Sequence, residues 1–213
     1  MCFPLTSIHK KQIVAVTGLM LVLYIIGHLA GNLFIYGGVE MFNGYANKLK
    51  SLGPILIVIE YALAAIFVIH IVLTACVVYE NIKARGGLNR YAVDVPSEKR
   101  SLATHIMPYT GAYILVFLIW HLFDFKFITA EGPLGLYGVV IDAFKDPMHS
   151  ALYIIAMCCL GFHLAHGFQS CFQTMGLNNN RLMPLLKNIS VFFGVFVAAA
   201  FSSIPMYVMY GLK

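Results

Sequence analysis

Four histidines lie inside long runs of apolar residues: His28, His70, His121 and His163. An ionisable side chain in hydrocarbon is costly unless it has a partner, so each of the four is a candidate functional residue. Neutral imidazole is a common metal ligand, and two imidazoles from facing helices can hold the iron of a haem. These residue types therefore indicate metal or haem chemistry inside a membrane, provided that the side chains meet in pairs.

Helical rise predicts that the four histidines form two pairs. His28 and His121 lie about 24 Å and 23 Å along their helices from the side on which the first span begins. His70 and His163 lie on spans that run the other way, about 24 Å and 21 Å from the opposite side. In a hydrocarbon core ~30 Å thick, these depths define two levels, each supplied by two helices. We therefore predict two haems, on the order of 15 Å apart in depth.

Glycines at positions 27, 31, 161 and 167 flank two of the histidines, and we expect them to let a porphyrin approach the helix backbone. A single membrane histidine can simply hydrogen-bond a neighbouring helix, and four could bind copper or relay protons, but the matched depths favour haem. His166 follows His163 by three residues on roughly the same face, so geometry leaves either as the ligand. The remaining three, at positions 9, 105 and 149, are expected to be interfacial residues.

The elements that carry these histidines follow from composition. Of 213 residues, 60% are hydrophobic and only 11% are charged, whereas soluble domains have about 25% charged residues. We predict an all-α integral membrane protein, a single domain over residues 1–213 whose five transmembrane helices form a bundle holding two haems. The expected spans are 12–35, 54–79, 106–123, 149–172 and 186–210, with a kink near Pro205. No internal repeat is evident, and the five cysteines show no disulfide or zinc spacing.

The net charge of +5 bears on topology rather than on nucleic acid, and no nucleic-acid partner is expected. With the N-terminus in the cytoplasm and the C-terminus outside, nine basic residues lie inside and five outside, as the positive-inside rule requires. The inside residues are Lys10, Lys11, Lys83, Arg85, Arg90, Lys99, Arg100, Arg181 and Lys187, and the outside ones are Lys48, Lys50, Lys126, Lys145 and Lys213.

Several short motifs resemble one family. They are GHLAGNLF at 27–34, Ile-His at 69–70, Trp-His at 120–121, FHLAHGFQS at 162–170 and FQTMG at 172–176. In this order and spacing, they resemble the cytochrome b membrane-anchor subunit of succinate:quinone oxidoreductases, meaning succinate dehydrogenase and fumarate reductase. The closer likeness is to the type with one five-helix subunit and two b haems, and it covers the chain from Ile8 into the last span.

The resemblance implies which histidines pair. His28 and His121 would bind the distal haem b, and His70 and His163 the proximal one. In related sequences the fourth ligand has a glycine four residues later, which favours His163 over His166 as the ligand and leaves His166 beside it.

The resemblance also implies partners in the inner membrane of a prokaryote. A flavoprotein subunit and an iron–sulfur subunit would sit on the cytoplasmic face, against residues 80–104. This chain would anchor them and pass electrons to or from a quinone, often menaquinone. The anchor looks alike for succinate oxidation and fumarate reduction. Haem b subunits of hydrogenases or formate dehydrogenases are the alternative class, while a transporter would be expected to show internal repeats and broken helices.

A carboxyl group in the second span is a candidate for quinone chemistry. Glu60 lies about 9 Å below the outer surface, at nearly the depth of the His28–His121 level. Reduction or oxidation of a quinone moves two protons with two electrons, so a proton-handling group is needed there. We predict that Glu60 has this catalytic role; the alternatives are that it pairs with Lys48 or Lys50, or that it helps to hold a haem edge.

Overall fold

The computed structural model describes residues 4–84, 102–130, 132–177 and 179–211, and these contain helices and turns but no strand. Seven α-helices follow one another: α1 (Ser7–Asn32), α2 (Gly38–Lys50), α3 (Pro54–Ala84), α4 (Leu102–Phe125), α5 (Gly135–Lys145), α6 (Pro147–Thr174) and α7 (Leu182–Gly211). A 3₁₀ segment, Leu33–Gly37, joins α1 to α2. Within the described residues, five stretches that contain α1, α3, α4, α6 and α7 are long and apolar enough to cross a membrane. The predicted all-α class with five membrane helices is confirmed.

Two helices lie in segments that the sequence analysis treated as loops. These are α2, after the first span, and α5, between the third and fourth spans. Glycines at 38, 44, 135 and 138 obscured them, because glycine is a poor helix former. Yet α5 buries Tyr137, Val140, Ile141 and Phe144, which recur at the spacing of one helical face. Both are short helices whose apolar sides pack onto one end of the bundle.

The long helices also extend beyond the apolar runs. Helix α1 begins at Ser7 and α3 continues to Ala84, because polar residues prolong each helix past the hydrocarbon. Lys10 on α1 is 1% exposed and donates to Glu80 on α3 at 2.5 Å. Pro205 is buried inside α7, which continues to Gly211.

Local sequence explains where α6 begins and ends. The Asp146 carboxylate accepts a hydrogen bond from the backbone N–H of Met148 at 2.9 Å, which caps the first turn. Pro147 occupies the first helical position, where its missing N–H costs nothing. Beyond the last turn, Gly176 has φ +93°, the left-handed conformation that commonly ends a helix. These signals fix the register of the helix that carries His163.

Side-chain contacts give the helix directions. Lys10 at the start of α1 meets the end of α3, and Tyr153 near the start of α6 meets Asp124 at the end of α4. Tyr36, just after α1, contacts Ser203 near the end of α7. Helices α1, α4 and α7 therefore run one way, and α3 and α6 run the other. We call the two ends of the bundle the Lys10 end and the Tyr153 end.

The bundle is organised in helix pairs. Helix α3 packs mainly on α1, α4 packs mainly on α6, and α6 packs most extensively on α7. Gly161 on α6 and Gly194 on α7 bring the two backbones together: a Cβ at Gly161 would lie 2.8 Å from the Gly194 carbonyl oxygen. Small residues permit this close approach between membrane helices. The α6–α7 contact thus fixes the helix that bears His163, while α1 joins the two helix pairs through α6.

Candidate functional site

His28 on α1 and His121 on α4 face each other near the Tyr153 end. Their ring centroids are 5.8 Å apart, with the planes at 88°. Metal–imidazole bonds are about 2 Å long, so two imidazoles on one metal ion have ring centres roughly 6 Å apart. We refer to these two residues as the distal pair, and their separation matches that of two axial ligands on one iron.

The His28 ring is held by its own helix and by α7. Tyr24 stacks on it with centroids 5.4 Å apart, and Phe201 lies at 5.8 Å. The Asn32 amide donates to the His28 carbonyl at 2.8 Å, and its nitrogen also lies 3.4 Å from Nε2. Since an amide N–H can only donate, Nε2 faces it as an acceptor, with its lone pair unprotonated.

The His121 ring contacts a polar cluster at the start of α6. The Tyr153 hydroxyl donates to the Asp124 carboxylate at 2.5 Å and lies 3.5 Å from Nδ1 of His121. A hydroxyl has one hydrogen, so the remaining contact orients Nδ1–H of His121 towards the Tyr153 oxygen. His149 stacks on Tyr153, and its Nε2 lies 3.3 Å from Asp124 Oδ2. The sequence analysis treated His149 as a plain interfacial residue, and the structure places it in this cluster.

His70 on α3 and His163 on α6 form the second set, which we call the proximal pair. Nδ1 of His70 lies 3.1 Å from the Thr17 hydroxyl of α1. Nδ1 of His163 lies 3.3 Å from the Thr110 hydroxyl of α4. His166 is half-buried one turn further along α6.

The two pairs lie at different levels of the bundle. Because Nδ1 of His70 contacts Thr17, the proximal pair lies near the level of Thr17, eleven residues before His28 on α1. At 1.5 Å per residue, the levels are about 17 Å apart. Within the described residues, no group of three or more His, Cys, Asp or Glu side chains converges on one point. The four histidines therefore lie in two separated sets and not in one cluster.

The chemistry of these side chains would suit haem iron. Haem supplies four of the six iron ligands itself, so the protein needs to provide only one imidazole nitrogen on each face. At His121, His70 and His163 a hydroxyl lies at Nδ1, which leaves Nε2 for a metal. A hydrogen bond at the other ring nitrogen is the usual companion of a metal-binding histidine.

The flanking glycines divide into two kinds. A Cβ at Gly27 would meet nothing within 4 Å, and one at Gly167 would meet only a Met107 methyl at 3.8 Å. By contrast, a Cβ at Gly31 would lie 2.6 Å from the Tyr45 ring, and Gly161 packs against α7. Gly31 and Gly161 are therefore needed for packing within the protein.

Glu60 forms an ion pair, but not with either lysine proposed from the sequence. Its carboxylate accepts from Lys126, just beyond the end of α4, and 39% of the Glu60 side chain is exposed. Tyr24, which stacks on His28, is within electrostatic range of Glu60.

Sequence reasoning missed the hydroxyl groups that contact the histidines: Thr17, Thr110 and Tyr153. A signal for the threonines was present. The dipeptide Thr-Gly occurs eleven residues before both His28 and His121. Asp124 was also visible directly after the Trp-His motif, but its role in fixing Tyr153 depends on a contact between two helices.

A bundle of membrane helices with histidines facing one another in its interior has the architecture of a membrane cytochrome b. Comparison with known proteins gives the particular relation. The chain is 25% identical over 187 residues to the succinate dehydrogenase cytochrome b558 subunit of Bacillus subtilis (strain 168), covering 86% of each chain. No family model and no solved structure matches it. The similarity confirms the predicted relation to a succinate dehydrogenase cytochrome b membrane anchor.

Proposed function

We propose that this chain is the di-haem cytochrome b anchor of a succinate dehydrogenase or quinol:fumarate reductase complex. It transfers electrons between a membrane quinone and an iron–sulfur subunit. The observation that carries the proposal is the occurrence of two histidine pairs at two levels, each pair drawn from two helices. Each haem would supply a one-electron carrier at its level.

The spacing of the two levels supports transfer across the membrane. The pairs are about 17 Å apart along the helices, so two haems held there would be two successive one-electron carriers. The protein's part is to hold each iron at a fixed depth with two imidazoles. It also surrounds the distal level with aromatic side chains, among them Tyr24, Phe117 and Phe201.

Partner subunits are proposed at the Lys10 end, which the positive-inside rule assigns to the cytoplasm. The relative in Bacillus subtilis is a subunit of succinate dehydrogenase, which supports a flavoprotein subunit and an iron–sulfur subunit as partners. Lys83, at the end of α3, is exposed on this end. Residues 85–101, which carry most of the predicted basic segment including Lys99, lie outside the described residues.

A quinone site, with menaquinone as the proposed substrate, is placed at the Tyr153 end beside the distal pair. Glu60 is its proposed proton-handling residue, because helical rise puts it at nearly the depth of the distal pair. Each quinol that is oxidised gives two electrons to the haem chain and two protons to groups at the membrane surface. The Glu60 side chain is partly exposed and can exchange protons with water, and Lys126 would hold it in place.

The test is spectral redox titration of the purified complex with single histidine variants. His28→Ala and His121→Ala should each remove or shift the same b-type component, while His70→Ala and His163→Ala should affect the other. His166→Ala is the matched control, because it removes a neighbouring imidazole from the same helix and should retain both components. Full haem content in all four ligand variants would refute the proposal, and loss in His166→Ala with retention in His163→Ala would move the ligand by one turn.

A further inference from the structure

Two threonines contact the proximal pair in the same way. The Thr17 hydroxyl donates to the Ile13 carbonyl at 2.7 Å, and its oxygen lies 3.1 Å from Nδ1 of His70. The Thr110 hydroxyl donates to the Met107 carbonyl at 3.0 Å, and its oxygen lies 3.3 Å from Nδ1 of His163. Each threonine is on a different helix from the histidine that it contacts.

The chemistry of these contacts suits one protonation pattern of each imidazole. A hydroxyl carries one hydrogen, and both threonines have a carbonyl of their own helix within hydrogen-bond distance. With the hydrogen on that carbonyl, the oxygen accepts from the ring, so that Nδ1 carries a hydrogen and Nε2 keeps its lone pair. That tautomer presents Nε2 to a metal, and a hydrogen bond at Nδ1 also fixes the direction of the ring.

A glycine follows each threonine and leaves room for the ring. A Cβ at Gly18 would lie 3.3 Å from Cε1 of His70, and one at Gly111 would lie 3.4 Å from Cε1 of His163. A larger side chain at either position would push the imidazole away from the threonine oxygen. Each Thr-Gly dipeptide thus contacts a histidine ring from the adjacent helix and leaves room for it.

The two Thr-Gly dipeptides occupy equivalent positions of an internal repeat. Every member of the second set lies 93 positions after its counterpart in the first, without any insertion or deletion. The pairs are Thr17 and Thr110, Gly18 and Gly111, His28 and His121, Pro54 and Pro147, and His70 and His163. The two prolines begin α3 and α6, and the order α1–α2–α3 is repeated as α4–α5–α6, with α7 outside the repeat.

This repeat corrects the sequence analysis, which found none. The first helices of its two halves run in the same direction. Parallel repeats of this kind are known among membrane proteins. The same contact between a Thr-Gly dipeptide and a histidine occurs once in each half, so each of the two contacts supports the other.

We propose that Thr17 and Thr110 are positioning residues that orient His70 and His163 as axial ligands and tune the proximal haem from both faces. The inference rests on the proposed di-haem function. A hydrogen bond from Nδ1 to an oxygen makes the imidazole more basic, which favours ferric over ferrous iron. Loss of either bond should therefore make the proximal haem easier to reduce, by the same amount in the two halves.

The experiment uses Thr17→Val and Thr110→Val in the complete complex. Valine keeps the shape of the side chain but removes the hydroxyl. Thr17→Ser and Thr110→Ser restore it. Thr174→Val is the control, because the Thr174 hydroxyl also donates to a carbonyl of its own helix, that of Ser170 at 2.9 Å. The readouts are haem content, the low-spin ferric EPR spectrum and the reduction potential of each b-type component.

We expect both valine variants to shift the ferric–ferrous equilibrium of the proximal haem towards ferrous iron roughly three- to tenfold, a tenfold change being 59 mV for one electron. The distal haem, the serine variants and Thr174→Val should keep their potentials. Selective loss of the proximal haem, restored by serine, would also support the proposal. Potentials in both valine variants equal to those of Thr174→Val would overturn it, as would loss of both haems together.

Two further results are separated by this design. A parent complex without two b-type components would refute the proposed function itself, before any threonine variant is considered. If a valine variant does not accumulate in the membrane, alanine at the same position provides the test, since it also lacks the hydroxyl and is smaller. An alanine variant with an unchanged proximal haem would overturn the proposal.

Discussion

The close contact between α6 and α7 predicts the cost of a single added methyl group. In Gly194→Ala, the new Cβ would lie 2.9 Å from the Ala165 Cβ and closer still to the carbonyl oxygen of Gly161. Ordinary contacts of a Cβ begin at 3.4 Å, and backbone atoms cannot rotate away as a flexible side chain can. Helices α6 and α7 would therefore have to separate by several tenths of an ångström or more. Overpacking of this kind costs about 1–3 kcal/mol.

The assay is thermal unfolding of the purified chain in detergent at one scan rate, followed by its intrinsic fluorescence. Each kcal/mol changes the midpoint by roughly 2–4 °C for a chain of this size, so we expect Gly194→Ala to unfold about 2–12 °C lower. Gly44→Ala is the control, because a Cβ there would meet nothing within 4 Å and alanine is the better helix former. It should unfold at the parent temperature or above. A midpoint for Gly194→Ala at or above that of the parent would refute the packing argument.

Two other predictions concern the surfaces of the bundle. Glu60→Gln should leave both haems and the activity with artificial electron acceptors or donors intact but lower quinone turnover at least tenfold; unchanged turnover with quinone would remove Glu60 from the mechanism. Lys83 should cross-link to the iron–sulfur subunit, because it is exposed at the Lys10 end. Reaction of Lys83 with a membrane-impermeant reagent added only outside intact cells would contradict both this docking and the predicted topology.

The features that could be predicted from sequence are those that depend on distance along one helix. Apolar runs gave the five membrane helices, and rise per residue put His28 and His121 at one depth. Proline and glycine gave the start of α3. Each of these follows from the geometry of a single segment, so no knowledge of which helices are neighbours was needed.

The features that sequence reasoning missed depend on contacts between segments. Lys126 reaches Glu60 only because the end of α4 lies beside the start of α3, whereas Lys48 and Lys50 seemed the nearer candidates along the chain. Gly31 was expected to let a porphyrin approach the helix backbone, yet it makes room for the Tyr45 ring. The identity of a helix neighbour decides both cases.

The repeat explains why the site is symmetric in one respect and asymmetric in another. The proposed iron ligands are histidines in both halves. Glu60 and Tyr153, however, are also equivalent positions, six residues into α3 and α6. Tyr153 contacts His121 directly, whereas Glu60 pairs with Lys126.

Only the first half has a carboxyl group at this position. Asp124, the carboxyl group that accepts from Tyr153, has Gly31 as its counterpart 93 positions earlier. The acidic groups of the two halves thus lie on different helices, α3 in one half and α4 in the other. In the proposed function, electron transfer would use the shared positions, whereas the quinone would need one set of proton-handling groups, which the divergent positions would supply.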